Sequence, residues 1–238
     1  MSEKEWLQAT DPLRMLEFLR GKVSDRKLRL FVVACCRRAL PLLSTELRQA
    51  LRVAELLADG QVTERERKAA RAAAMAAGRI GYGCGAAKDA VAMALRRKAA
   101  DAAQFAFKHA GWLAAVWTWT AATERPAAEA PAYATDGWDG FAILCAAEQA
   151  AQCELIRDII GNPFRPVAVR LSWLVWNDRT ISKLAQSIYE DRAFDRLPIL
   201  GDALEEAGCH DADILNHCRR PGEHIRGCWT VDLLLGKG

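Results

Sequence analysis

Residues 24–40, SDRKLRLFVVACCRRAL, decide the class of fold. Leu28, Phe31, Val32, Cys35, Cys36 and Leu40 recur at intervals of one, three and four residues. That spacing gathers them on one face of a helix and would scatter them over both faces of a strand. Ser24 stands where an N-cap side chain accepts a backbone N–H, and Arg37 and Arg38 stand near the end that the helix dipole makes favourable for cations. Pro41 then closes or kinks the helix.

The same grammar extends in both directions. Upstream, Asp11-Pro12 places a capping residue before a proline at the first helical position, Met15, Leu16, Phe18 and Leu19 follow, and Gly21 ends the segment. Downstream, a helix runs from about Ser44 through Leu47, Leu51, Leu56 and Leu57 to Gly60. Thr63 and Glu66 have the spacing of a capping box and open a helix to about Ala77. The glycine-dense run Gly78–Gly85 has no strand before it and no Gly-Lys-Ser/Thr after it, so a helix–helix turn is expected there rather than a phosphate loop. From Ala86 to Thr123 the pattern is helical with a break near Asp101, and Phe105, His109, Trp112, Val116 and Trp119 form an aromatic stripe expected to be core, with His109 buried.

Glu124–Gly140, ERPAAEAPAYATDGWDG, is the clearest boundary. It divides the chain into a basic, Ala-rich part over 1–123, a linker or long loop over 124–140, and an acidic part over 141–238, with one continuous domain as the alternative. A helix over Phe141–Ile160 is expected to pack Ile143, Leu144, Ala147, Ala151, Leu155 and Ile159 inward. Val167, Val169, Leu171, Trp173 and Val175 alternate, but a lone strand has no partner, so an extended segment or a short helix near Trp173 is expected. Asp178 or Thr180, then Asp211 or Asp213, can cap later helices, and Trp229–Leu235 can dock on the core. The expectation is an all-α multi-helix array or bundle with a Pro/Gly-rich loop near 124–140 and an irregular stretch near 162–178.

Composition narrows the class of function. The 238 residues are 51% hydrophobic and include 44 Ala, with a formal charge of +3. This excludes long disorder. The longest uncharged stretch, Ala110–Thr123, is shorter than the roughly 20 residues a membrane span needs. The start Met1-Ser2-Glu3-Lys4-Glu5 does not read as a secretory signal, so a cytoplasmic protein with no membrane partner is expected. The small charge conceals a basic stretch over 1–100 and an acidic remainder. A basic stretch can face nucleic acid, form solvated helix faces, or dock on the acidic part.

The eight cysteines are expected as reduced thiols. Cys35, Cys36, Cys145 and Cys153 lie on apolar helical faces and read as core. The C-terminal group differs: Cys209, His210, His217, Cys218, His224 and Cys228 bring three cysteines and three of the four histidines into one short segment. Thiolate and imidazole are the ligands zinc prefers, and four close a structural site. Cys209, Cys218, His224 and Cys228 make the expected set, with His210 and His217 as alternates. The competing reading is reduced thiols beside surface histidines. A nucleophile reading takes Cys228 as the attacking thiol, His224 or His217 as base and Asp232 as its orienter. The carboxylate pairs Glu205-Glu206, Asp191/Asp195 and Asp211/Asp213 sit among caps or beside Arg192, Arg196 or Arg219, which explains them as capping and ion pairing.

Two blocks carry a resemblance. EWLQATDPLRMLEFLRGKVSDRKLRLFVVACCRR at the N-terminal end, and CELIRDIIGNPFRPV, WNDRTISKLAQSIYEDRAFDRLPILGDALEEAGC and DADILNHCRRPGEHIRGCWTVDLLLGK at the C-terminal end, resemble a large paralogous family of bacterial proteins with no assigned activity. The resemblance covers about half the chain, leaves the Ala-rich middle as the variable part, and implies an intracellular bacterial protein. It brings no fold, substrate or catalytic residue with it. No catalytic residue is assigned. With no convergent acid, base and phosphate-binding set in the sequence, the leading expectation is a non-enzymatic interaction or scaffold module with a protein partner. A zinc-stabilised helical module with a structural or regulatory Cys/His site comes second, a thiol- or metal-dependent hydrolase third, and a nucleic-acid binder through residues 1–100 fourth.

Overall fold

Capping chemistry sets where the first helices begin. In the computed structural model, which describes residues 1–77, 84–125, 127, 130 and 139–238, Ser2, Asp11, Ser24, Ser44 and Thr63 each accept a backbone N–H two or three residues on. They open α1 (Glu3–Gln8), α2 (Pro12–Leu19), α3 (Asp25–Arg38), α4 (Thr45–Ala58) and α5 (Glu64–Ala76). The capping box is complete: Thr63 Oγ1 accepts the Glu66 N–H at 3.3 Å, and Glu66 Oε2 accepts the Thr63 N–H at 2.8 Å. Leu28, Phe31, Val32, Cys35 and Cys36 are all buried, and a 3-10 turn over Leu40–Leu42 follows where Pro41 ends regular helix. The expected turn at 78–83 lies outside the described residues.

Next come α6 (Cys84–Ala94) and α7 (Ala100–Thr123). The break between them falls at 95–99, earlier than the expected Asp101, and two arginines from elsewhere explain it. The last carbonyls of a helix have no donor within it. Arg29 of α3, only 4% exposed, donates to the carbonyls of Ala94, Arg96 (2.8 Å) and Arg97 (3.2 Å), and Arg67 of α5 donates to Leu95 at 2.6 Å. Other basic residues of this part are also engaged internally. Arg26 pairs with Asp59 at 3.1 Å, Arg37 holds Glu55 through two 2.7 Å bonds, and Arg38 reaches Glu148 at 2.9 Å.

The aromatic stripe divides: Val116 and Trp119 are buried beside Ala115 and Phe141, whereas Trp112 and His109, the latter expected to be buried, are half-buried. In α8 (Asp139–Ile160), Leu155 and Ile159 pack inward as expected, but Ile143 is 68% exposed and Ala147 is exposed. The buried face runs instead through Phe141, Glu148, Gln152, Cys153, Ile156 and Asp158. Hydrophobic spacing misleads here because three polar side chains belong to the inner face, Glu148 being the partner of Arg38.

The chain divides into two compact units, 1–156 and 157–238, so the division falls within α8. Most of the 124–140 stretch expected as a linker lies outside the described residues. The second unit holds α9 (Leu171–Asp191), α10 (Leu197–Glu206), α11 (Ala212–Arg219) and α12 (Trp229–Leu235). The alternating segment is non-helical to Arg170 and then turns into α9, with Trp173 buried. That helix is interrupted at Trp176–Arg179, where Asn177, Asp178 and Arg179 take φ of +45°, +55° and +62°. Neither Asp178 nor Thr180 caps the resumed helix. Asp178 pairs with Lys183 at 2.7 Å, and the Thr180 hydroxyl donates to the Asn177 carbonyl. Trp173, Ile181, Ile188, Leu200, Leu204, Ile214, Val231 and Leu234 form the core of this unit together with Cys209, Cys218 and Cys228. Twelve α-helices and no strand among the described residues make the protein all-α. No described helix is long and apolar enough to cross a membrane.

Candidate metal centre

Four elements of the second unit deliver one side chain each to a common point. Asp158 lies in the last turn of α8, which ends at Gly161 (φ +74°). Asp211 caps α11 by accepting the N–H groups of Asp213 and Ile214, and that start puts Ile214, Leu215, His217 and Cys218 on its buried face. His224 comes from the connection after α11, where Gly222 and Gly227 take φ of +145° and +100°. Cys228 is the N-cap residue of α12.

Their ligand atoms all lie within 4.8 Å of one another. His224 Nδ1 is 2.6 Å from Asp158 Oδ1; His217 Nε2 is 3.4 Å from that same oxygen and 3.1 Å from Cys228 Sγ. A tetrahedral zinc ion with its usual bond lengths sets such atoms about 3.3–3.6 Å apart. Asp158 and Cys228 are fully buried, and the side chains of His217 and His224 are 8% and 6% exposed. Two further polar atoms of the group have partners outside it. Asp158 Oδ2 accepts the Ile225 N–H at 3.1 Å, and His224 Nε2 lies 3.2 Å from the Arg220 carbonyl. Such outer contacts orient metal ligands.

Burial and mutual charge set the protonation of the four. Burial pushes the Asp158 carboxyl up, but hydrogen bonds and charge from His217 and His224 outweigh it and leave it below its ordinary value. Burial pulls His217 down, and the more distant carboxylate does not restore it. Burial also pulls at His224, but the 2.6 Å contact with Asp158 prevails and raises it. The Cys228 thiol is raised well above its ordinary value, by burial first and by the Asp158 charge second, while the backbone N–H groups of Val231 and Thr230 pull the other way.

The expected ligands separate cleanly by position. His224, Cys228 and the alternate His217 converge. Cys209 and Cys218 lie in the apolar core, with burial holding the Cys218 thiol up at about 12, and His210 is exposed. Asp158 is the residue that sequence reasoning missed; its signal was a carboxylate between Leu155 and Ile159 on a buried helical face. Asp232, the expected orienter of a thiol nucleophile, is buried in α12 and lies outside the converging group. No protein-family model, curated protein or solved structure matches the chain. The chemistry therefore rests on the side chains themselves. Asp158, His217, His224 and Cys228 could hold a metal ion.

The contacts also differ from the arrangement of a thiol relay. In a relay the imidazole uses its two nitrogens for two different partners, nucleophile on one side and carboxylate on the other. Here a single nitrogen, His217 Nε2, faces both Cys228 Sγ and Asp158 Oδ1. That same carboxylate oxygen also meets His224 Nδ1. Four potential ligand atoms this close to one another could hold a cation.

Proposed function

We propose that residues 157–238 form a zinc-stabilised helical module, with Asp158, His217, His224 and Cys228 as a closed structural site. The observation that carries this reading is the convergence of four donor atoms of different elements on one buried point. One thiolate and one carboxylate balance the charge of a divalent ion, and the N, S and O donors suit zinc. Four protein ligands leave no open position for a metal-bound water, which is the mark of a structural rather than a hydrolytic centre. The role of the chain is then non-enzymatic: an intracellular module, of the kind its two end blocks resemble, held in shape to present helix surface to a protein partner. Leu171, 78% exposed, with the exposed Val175 and Ile199, supports that role.

Elemental analysis of the purified full-length protein tests it. About one equivalent of zinc is expected per chain, retained on desalting, and Cys228→Ser or Asp158→Asn is expected to lose it. A chain that holds no zinc after incubation with the ion and removal of excess overturns the proposal.

A further inference from the structure

The His217 ring packs against two other rings. His224 meets it edge-on with centroids 4.9 Å apart, and Trp229 packs against it at 5.1 Å with planes inclined by 58°. Trp229 is no ligand, but it packs against the second unit's core. Its indole sits on Gly161, where an added Cβ would come within 3.1 Å of both Cγ and Cδ2 and 3.4 Å of Cδ1. Gly161 is the residue on which α8 ends, three positions after Asp158. One indole therefore touches the helix end that supplies one ligand and the ring that supplies another.

We propose that Trp229, seated on Gly161, is the positioning residue of the metal centre, fixing the His217 imidazole so that Nε2 faces Asp158 and Cys228. The inference rests on the zinc reading above. The physical argument is one of pre-organisation. A histidine ring turns about two side-chain torsions, and a ligand held at its bonding angle loses little entropy when the ion arrives. Outer residues of this kind change metal affinity by about 10–100-fold when altered.

Gly161 also takes a left-handed conformation, so any side chain there strains the backbone as well as pressing on the indole. Gly208 separates the two effects. It has φ of +82° in the same unit with nothing within 4 Å of an added Cβ. Gly208→Ala therefore imposes the backbone strain without touching the tryptophan.

Cobalt(II), which reports its geometry through its visible absorption, is titrated into full-length wild type, Gly161→Ala, Trp229→Phe, the double variant and Gly208→Ala, followed by competition with zinc. Wild type and Gly208→Ala are expected to bind one ion with the same tetrahedral spectrum. Gly161→Ala and Trp229→Phe are expected to bind about tenfold more weakly or worse, with an altered spectrum. The double variant is expected to recover part of the loss of Gly161→Ala, because the smaller ring makes room for the methyl group. Affinities and spectra in Gly161→Ala and Trp229→Phe equal to those of Gly208→Ala overturn the role of Trp229 and leave the metal centre standing. A wild-type chain that binds neither ion overturns both.

Discussion

In the proposed zinc site, Cys228 and His224 make affinity depend on protons. In the metal-free protein burial keeps the Cys228 thiol protonated far above neutrality, and Asp158 keeps a proton on His224 to a higher pH than usual. Both protons must leave for an ion to bind, and each displaced proton contributes a slope of about tenfold in affinity per pH unit. The sign follows: affinity falls as pH falls, by one proton's slope above the His224 range and by two below it. Competition titrations between about pH 8 and about pH 6 check this; a flat profile would exclude Cys228 as a ligand. At this scale three of the four converging side chains were legible in the sequence and the fourth was not. His217, His224 and Cys228 stood out because sulfur and imidazole cluster in few residues. Cys218 was indistinguishable from them, since its neighbour His217 faces the centre while its own side chain joins the core. Asp158 was passed over because its partners lie 59 or more positions away along the chain. A lone carboxylate in a helix reads as a cap or a surface charge.

At the scale of elements, local signals proved legible and remote ones did not. Ser24, Ser44, Thr63 and Asp211 cap as their spacing requires, because a cap is settled within three residues. The gap between α6 and α7 was misplaced because its carbonyls are satisfied by Arg29, 65 positions before Ala94. Arg29→Leu is expected to destabilise the protein by about 3 kcal/mol, since it strips the donors from three carbonyls at a crowded helix end and each buried acceptor left unmade costs about 1–3 kcal/mol. Urea unfolding of the full chain measures it, and a change below about 1 kcal/mol would mean that water replaces the guanidinium there. The inner face of α8 failed for a related reason: Glu148 is buried against an arginine, and the hydrophobic pattern has no term for a paired charge.

For the whole molecule, an all-α class follows from periodicity alone, but the division into two units does not. It falls inside α8, where composition is continuous and only tertiary contacts can mark it. Hydrogen exchange tests whether the centre belongs to one unit. Adding zinc is expected to slow exchange across 157–238 and to leave 1–156 near its metal-free rates, because binding stabilises what it touches by mass action. Equal slowing in both units would contradict a site confined to the second. The net charge of +3 also gains meaning at this scale, since several of the arginines that make residues 1–100 basic have internal partners. The spread of the four ligands along the chain has a topological consequence. An ion joining Asp158 to His224 ties residues 66 positions apart, and closing a ring of that size removes freedom from the unfolded chain worth roughly 4 kcal/mol. The second unit then has the connectivity of a disulfide-closed domain while its three cysteines form no disulfide. Such a clasp holds under reducing conditions and opens to a chelator.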